Sequence, residues 1–572
     1  MIIQAIHDIS ALCAAKGIQY VVLSPGSRCA PLTISFARNN DIQKFAFSDE
    51  RSAAFHALGI AASTNTPVVL VCTSGSAAYN YAPAVAEAYY QQIPLIILTA
   101  DRPPEWIDQL DGQTIRQNEI YGRHVKQSYT LPDTYESPEA YWHSNRIVNE
   151  AINLSEAFPK GPVHINVPIR EPFYPAPEET LLFSSDIRVI KAQANSGTVP
   201  LEQYVERLKS FDKVLLVPGQ QQLNDRMTDA VSNFCEQTNC TLVADVISNL
   251  QEVDSAVIHQ DLFINSQDPL PTGYHPNLLI TFGKSLISKN LKLFLRKHPA
   301  VEHWHIQQST HRVADTFQNL TEIIVSDPAH FFESISTAYR DGSEFEKQKK
   351  QNFRQAWTLL DKRTNQLISE EVESETFNEL TAIGSCISSL PDHSNLHLAN
   401  SMAVRYVNFV ALKDKKGINV FCNRGTSGID GSNSTAYGQA LVTEQLVTLI
   451  TGDLAFFYDR NAFWNRYHPA NLRIILINNH GGGIFRMIPG PVALEELEDY
   501  FVTTQDSQAS HVAAEFDLQH TTVNNKVELD RALQFFFHKS KTPKILEIKT
   551  NSVKSSEYLK LLKRKIQQGL MD

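Results

Sequence analysis

The 572-residue sequence predicts an α/β fold built from three open, parallel-sheet units. Two observations carry that expectation. Short apolar runs alternate with helix-compatible segments along most of the chain, the rhythm of parallel strands joined by crossover helices. That rhythm is broken by a polar stretch at 192–199 (AQANSGTV) and a charged stretch at 343–375, which divide the chain into units at 1–185, 200–340 and 375–555. Polar loops follow the apolar runs of the first and third units, at the sheet edge where open parallel sheets bind ligands.

The first unit opens with a helical pattern over 3–16, then a strand at 20–23 that ends in SPGSR. A helix over 31–39 follows, then an apolar segment at 45–47 leading into SDER at 48–51, and an Ala-rich helix at 52–63. The strand at 68–72 ends in TSGS and is followed by a helix to residue 90; the strand at 95–98 ends in TADRPP. A late strand at 161–167 completes the unit. In the middle unit strands are expected at 213–217, 241–246, 278–282, 302–306 and 322–325. The charged stretch after it reads as a solvated connecting helix. Third-unit strands are expected at 420–421, 446–450, 474–477 and 545–548, and the basic tail, 554–565, reads as a surface helix. No close internal sequence repeat is visible.

Composition excludes several classes. Apolar residues make up 42% and charged residues 20% of the chain, ordinary for a soluble globular protein. A net charge of −11 argues against non-specific binding to nucleic acid or to an anionic membrane surface. Any anionic substrate must then be held by local cations. The seven cysteines are scattered and odd in number, with no CxxC, which fits reduced thiols better than a disulfide framework. The first residues lack a basic leader and no apolar run approaches a membrane span, so a soluble, cytoplasmic protein is expected.

The most informative stretch runs from Gly452 to Phe485. One apolar run ends in Thr451-Gly452-Asp453, and a second, at 473–477, ends in Asn478-Asn479. If both are parallel strands joined by the intervening helix, Asp453 and Asn479 emerge at neighbouring strand ends. A carboxylate and an amide carbonyl are hard oxygen donors that suit Mg²⁺, which takes one or two protein carboxylates and completes its shell with waters and phosphate oxygens. The blander account is a polar turn, with Asn-Asn and three glycines only reversing the chain. The GD and NN pairs, 24 residues apart, resemble the diphosphate-binding signature of thiamine diphosphate enzymes. In that setting Glu50 gains a role beyond favouring a helix N-terminus. A carboxyl group bonded to the cofactor's pyrimidine drives the tautomerism that lets its imino group remove the thiazolium C2 proton.

SPGSRCAPLT, SDERSAAFHALG, TSGSA, TADRPPE, QTIRQ, NRGTSGIDG, GDLAFFYD and NNHGGGIF occur in one order across the first and third units. Together they resemble the 2-succinyl-5-enolpyruvyl-6-hydroxy-3-cyclohexene-1-carboxylate synthases, the thiamine-dependent enzyme family of menaquinone biosynthesis. The resemblance implies three α/β domains of the thiamine diphosphate-enzyme type: pyrimidine-binding (1–185), central and without cofactor (200–340), and diphosphate- and metal-binding (375–555). It implies a homodimer or a dimer of dimers with the cofactor between a first unit of one chain and a third unit of another. The implied reaction decarboxylates 2-oxoglutarate and adds the succinyl carbanion equivalent to isochorismate.

By the same resemblance Asp453, Asn479 and the carbonyl of Gly481 hold Mg²⁺ or Mn²⁺. Glu50, Ile429, Gly452, Leu454, Ile484 and Phe485 join them around thiamine diphosphate, with Ile429 propping its bent shape. Ser27, Arg28, Arg102, Gln113 and Lys289 face isochorismate, and Ser401, Arg405 and Arg424 face 2-oxoglutarate. Both substrates are dicarboxylates, for which arginine is the better bidentate partner. Two departures from the family pattern stand out. Asp111-Gly112 precede Gln113 where an Asn is common, and His480 follows the Asn pair where another Asn is common. Another thiamine-dependent carboligase or 2-oxoacid decarboxylase is the nearest alternative, but it needs fewer cations at the strand ends. A Rossmann dehydrogenase is disfavoured because no GxGxxG follows a strand.

Overall fold

The computed structural model describes residues 3–176, 179–184, 187–190, 200–265, 270–310, 312–339, 344–412, 414–488 and 490–569. The expected linker at 192–199 lies outside the described residues. Three parallel sheets form the frame. The first holds β1 (Tyr20–Leu23), β2 (Gln43–Ala46), β3 (Val68–Cys72), β4 (Leu95–Asp101), β5 (Ser128–Thr130) and β6 (Val163–Pro168), in the order β2-β1-β3-β4-β6-β5. The middle sheet holds β7 (Val214–Pro218), β8 (Thr241–Leu242), β9 (Leu278–Phe282), β10 (Glu302–Gln307) and β11 (Glu322–Val325), ordered β11-β10-β9-β7-β8. The third holds β12 (Asn395–Leu398), β13 (Asn419–Cys422), β14 (Val447–Gly452), β15 (Leu472–Asn478), β16 (Gln519–Val523) and β17 (Lys544–Lys549), ordered β13-β12-β14-β15-β17-β16.

The first and third sheets therefore share one strand order, a structural repeat without a visible sequence repeat. Topology needs only the placement of apolar runs and turns, so two sequences can satisfy it independently. The central strands β3, β4 and β15 are buried along their whole length. Helices cover both faces of such strands, which is why VVLVC and LIIL read as unbroken apolar runs.

Three strands carry no such signal. β5 (SYT) and β16 (QHTTV) are edge strands with partly exposed, polar faces. β12 (NLHL) is central, but its His397 is buried against Gln439 and stacks on Phe421. A polar side chain satisfied by a distant partner looks unstrandlike in sequence.

Two expectations about helices need correction. The Glu344–Glu373 helix is not simply solvated: Phe353, Trp357 and Leu360 enter the middle core and Ile368 enters the third. Their spacing makes one apolar stripe, and the dense charges occupy the other face. The final helix, Ser552–Gly569, likewise buries Leu559, Leu562 and Ile566 in the third core rather than lying wholly on the surface.

The first and third units also meet directly within the chain. The Glu50–Thr64 and Ser432–Ala440 helices cross so closely that a Cβ on Gly59 would sit 2.0 Å from the Thr435 carbonyl oxygen. Reciprocally, a Cβ on Gly438 would sit 2.2 Å from the His56 carbonyl oxygen. All seven cysteines are buried and free.

Candidate active site

β14 and β15 are neighbours in register, with Gly452 opposite Ile477, so the residues that follow them emerge side by side. Asp453 begins a short helix directly after β14, and Asn479 is the first residue beyond β15. Both line a cavity of about 370 Å³ at the carboxyl edge of the third sheet. Gly452, Leu454 and Gly481 line it as well, and Ile429, Ile484 and Phe485 give it apolar walls. Gly481 has no room for a side chain, since a Cβ there would lie 2.7 Å from the Val502 carbonyl oxygen.

The donor chemistry of this loop fits a divalent cation carrying a diphosphate. Asp453 is 2% exposed, and burial raises its pKa despite hydrogen bonds from Gln505 and the Leu454 backbone. Its Oδ1 accepts from the Leu454 N–H and its Oδ2 from Gln505 Nε2, both at 2.8 Å. No cation of the chain pairs with this carboxylate among the described residues. Nor do these residues contain a cluster of three or more His, Cys, Asp or Glu that could hold a metal. One carboxylate, one amide oxygen and one backbone carbonyl remain, the sparse oxygen set that Mg²⁺ tolerates when phosphate completes its shell.

The opposite side of the cavity is cationic. Arg405 and Arg424 both line it, with Ser401. Arg405 Nη1 donates to the Ser401 carbonyl. Arg424 Nη1 donates to Asn400 Oδ1 at 3.0 Å, while its Nε is buried without a partner. Burial lowers the pKa of Arg405, and the Arg424 charge lowers it further. Neither guanidinium has a carboxylate partner among the described residues, an arrangement that disfavours the empty cavity and favours an anion.

Every third-unit residue expected at the site is thus gathered in one cavity. None of Ser27, Arg28, Glu50, Arg102, Gln113 and Lys289 lines it. Glu50 is half-buried as the first residue of its helix, behind the N-cap Asp49, whose carboxylate accepts from Ser52 N–H at 3.0 Å. Arg28 is buried, with Nη1 donating to the Ile169 carbonyl at 2.8 Å and its guanidinium over the Phe173 ring. Ser27, Gln113 and Lys289 are exposed. Arg102 is held by Asp111 at 3.2 Å and by the Gly112 carbonyl at 2.9 Å, so the unusual Asp-Gly pair engages a cation expected at the site.

Several residues around the cavity carried no motif. Glu379 lines it, buried, and accepts from Asn479 Nδ2 at 2.8 Å; burial pushes its pKa up to about 7. Gln505 bonds Asp453 and exchanges contacts with His480 through backbone atoms. Lys292, a middle-unit cation that carried no motif, has its pKa lowered by burial and by the Arg424 charge. Glu87, from the first unit, accepts from the Gly425 and Thr426 N–H groups and so clamps the loop carrying Arg424. Single acids and amides of this kind have no local pattern, because their partners lie from 52 to 339 residues away.

A second cavity, of about 520 Å³, lies at the carboxyl edge of the middle sheet, against Tyr90 and Phe158 of the first unit. The loops after β7 and β9 interlock there, Gly219 N–H and Gln220 N–H donating across to Phe282 and Ser285. Lys284, exposed as a whole residue, turns its ammonium onto the Gln91 carbonyl, and desolvation of that group lowers its pKa to about 8.

Comparison with known proteins agrees with this geometry. Residues 3–126 match the family model described as thiamine pyrophosphate enzyme, N-terminal TPP binding domain, and residues 189–398 match the middle domain of thiamine pyrophosphate enzymes. A 2-succinyl-5-enolpyruvyl-6-hydroxy-3-cyclohexene-1-carboxylate synthase from Cytophaga hutchinsonii is 47% identical, with 99% of this chain and 100% of the relative aligned. The chain belongs to this synthase family. Synthases of the same name from Flavobacterium johnsoniae and Bacteroides fragilis are 38% and 36% identical, each over 97% of both chains. As a member of the synthase family the chain is a thiamine diphosphate-dependent enzyme with three parallel-sheet α/β domains. No helix among the described residues is long and apolar enough to cross a membrane.

Proposed function

We propose that the enzyme decarboxylates 2-oxoglutarate and adds the resulting four-carbon unit to isochorismate, giving 2-succinyl-5-enolpyruvyl-6-hydroxy-3-cyclohexene-1-carboxylate and CO₂. The reading rests chiefly on one observation: Arg405 and Arg424, without carboxylate partners among the described residues, share a cavity with Asp453 and Asn479. When bound, thiamine diphosphate supplies the carbon that accepts the acyl group as CO₂ leaves.

In this reading Asp453, Asn479 and the Gly481 carbonyl hold Mg²⁺ or Mn²⁺, and through it the diphosphate. Ile429 supports the cofactor from below, and Ile484 and Phe485 exclude water from its reactive end, where low polarity favours loss of a charged carboxylate. Arg405, Arg424 and Ser401 orient 2-oxoglutarate through its carboxylates. Glu50 holds a proton at the pyrimidine of the cofactor, and Ser27, Arg28, Arg102, Gln113 and Lys289 receive isochorismate.

We assign the two halves of the site to two copies of the chain. Within one chain the Glu50 group and the Asp453 cavity are separate, and the first and third units are already fixed to each other by the Gly59–Gly438 helix crossing. In this reading a complete site forms between the first unit of one protomer and the third unit of its partner, in a homodimer or a dimer of dimers.

The test is direct. The purified protein with thiamine diphosphate, Mg²⁺, 2-oxoglutarate and isochorismate should release CO₂ and form the adduct. Faster turnover of pyruvate than of 2-oxoglutarate would overturn the substrate assignment.

A further inference from the structure

We propose that Glu379 is a positioning residue that fixes the side-chain orientation of Asn479, so that its amide oxygen, and not its nitrogen, faces the cation. The proposal rests on the reading that Asp453 and Asn479 hold the metal.

An asparagine side chain presents an oxygen on one side and an NH₂ on the other, of similar size. Only the oxygen can bind a hard cation; the reversed amide would present two donors to it. Something must break that near-symmetry, and the structure contains it. Glu379 Oε1 accepts from Asn479 Nδ2 at 2.8 Å. On the other side, Asn479 Oδ1 accepts from Gly481 N–H at 3.2 Å, which keeps the oxygen turned toward the diphosphate loop. In the flipped state the amide oxygen would face the carboxyl oxygen of Glu379, and the NH₂ would face an N–H. Both bonds would be lost together.

Packing reinforces the choice. A Cβ on Gly483 would lie 2.9 Å from Asn479 Nδ2, so the backbone there closes over the amide nitrogen. Glu379 is itself rigidly placed. It is 1% exposed and is the first residue of the Glu379–Ser388 helix. Asn378 and Thr381 form a reciprocal capping box around that start. The helix N-terminus favours a negative side chain at this position. Tyr406 and Ser555 lie against the same carboxyl. Glu379 thus lies a hundred residues from Asn479 in sequence yet touches it, and this buried acid has no cationic partner among the described residues.

Residues that orient a metal's own ligands typically change metal affinity by about 10–100-fold when removed. The experiment measures thiamine diphosphate binding by titration calorimetry at a series of Mg²⁺ concentrations, without substrate. Glu379→Ala should raise the Mg²⁺ concentration for half-maximal cofactor binding at least about tenfold. Glu379→Gln keeps an acceptor oxygen and the side-chain volume but adds an NH₂ that can also bond the reversed amide, so it should fall between the parent and Glu379→Ala. Wild-type Mg²⁺ dependence in Glu379→Ala, or Glu379→Gln as impaired as Glu379→Ala, would overturn the proposal. Asp453→Ala separates the two readings. If it too leaves the Mg²⁺ dependence unchanged, the metal site itself is misassigned; if it abolishes that dependence while Glu379→Ala does not, only the role of Glu379 falls.

Discussion

Replacing Gly59 by alanine tests the crossing that joins the first and third units. At an ordinary helical glycine the change stabilises, because alanine is the better helix former by about 1 kcal/mol. At Gly59 the new Cβ would lie 2.0 Å from the Thr435 carbonyl oxygen and 2.8 Å from its carbon. Comfortable non-bonded separations are roughly 3.5 Å, so the two helices must part by more than about 1 Å. Neither can yield locally, since both contacts fall on helical backbone. The Ser52–Ser434 hydroxyl bond of 2.9 Å at the same crossing would stretch with them. Overpacking costs typically about 1–3 kcal/mol and a lost buried hydrogen bond about 1 kcal/mol, together more than the helix gain. The net expectation is a loss of roughly 1–3 kcal/mol, read by urea unfolding. Because Glu50 begins the same helix, the variant should also bind thiamine diphosphate more weakly. A Gly59→Ala protein as stable as the parent, or more stable, would refute the reasoning, since the sign itself distinguishes a tight crossing from a free helix face.

Three further outcomes follow from the site and the core. Arg424→Met should raise the KM for 2-oxoglutarate by about 10–100-fold, the value of one charge-assisted hydrogen bond of roughly 1.5–3 kcal/mol; an unchanged KM in steady-state assays would remove Arg424 from the substrate site. Glu50→Gln should bind cofactor almost normally yet slow hydrogen–deuterium exchange at the thiazolium C2, and exchange at the parental rate would end its assigned role. His164 and His397 are buried and neutral, with burial holding their pKa values at about 3 and about 4 against an ordinary 6.5. The unfolded chain therefore binds more protons than the folded one below pH 6.5, so their stabilisation is full above that pH and is lost as pH falls toward 4. From pH 6.5 to 4.5 each can account for up to roughly 2.7 kcal/mol, and His164→Gln should make thermal stability measurably less steep in that window. A slope identical to the parent's would show that His164 does not titrate on unfolding.

Local chemistry alone determined much of this protein. The buried central strands are apolar because helices cover both faces of their sheets, so β3, β4 and β15 are legible as runs. The Gly452-Asp453 and Asn478-Asn479 pairs follow such runs, and their joint position at one sheet edge follows from parallel pairing of neighbouring strands. Arg405 and Arg424 were named only through the family resemblance, Arg424 within NRGTSGIDG and Arg405 outside any of the quoted motifs. The sequence did not show that β12 and β16 are strands, because their polar side chains are satisfied by partners far along the chain. It did not show that the 344–373 helix is a packed element, since one apolar stripe is masked by the charges around it.

Only the tertiary structure gathered the expected third-unit residues into one cavity that none of the expected first- and middle-unit residues lines. Only it placed Asp111 on Arg102. Glu379 is the clearest case. In sequence it is an acid at a helix start, and it becomes part of the site only because a fold spanning a hundred residues presses its carboxyl against the amide of Asn479.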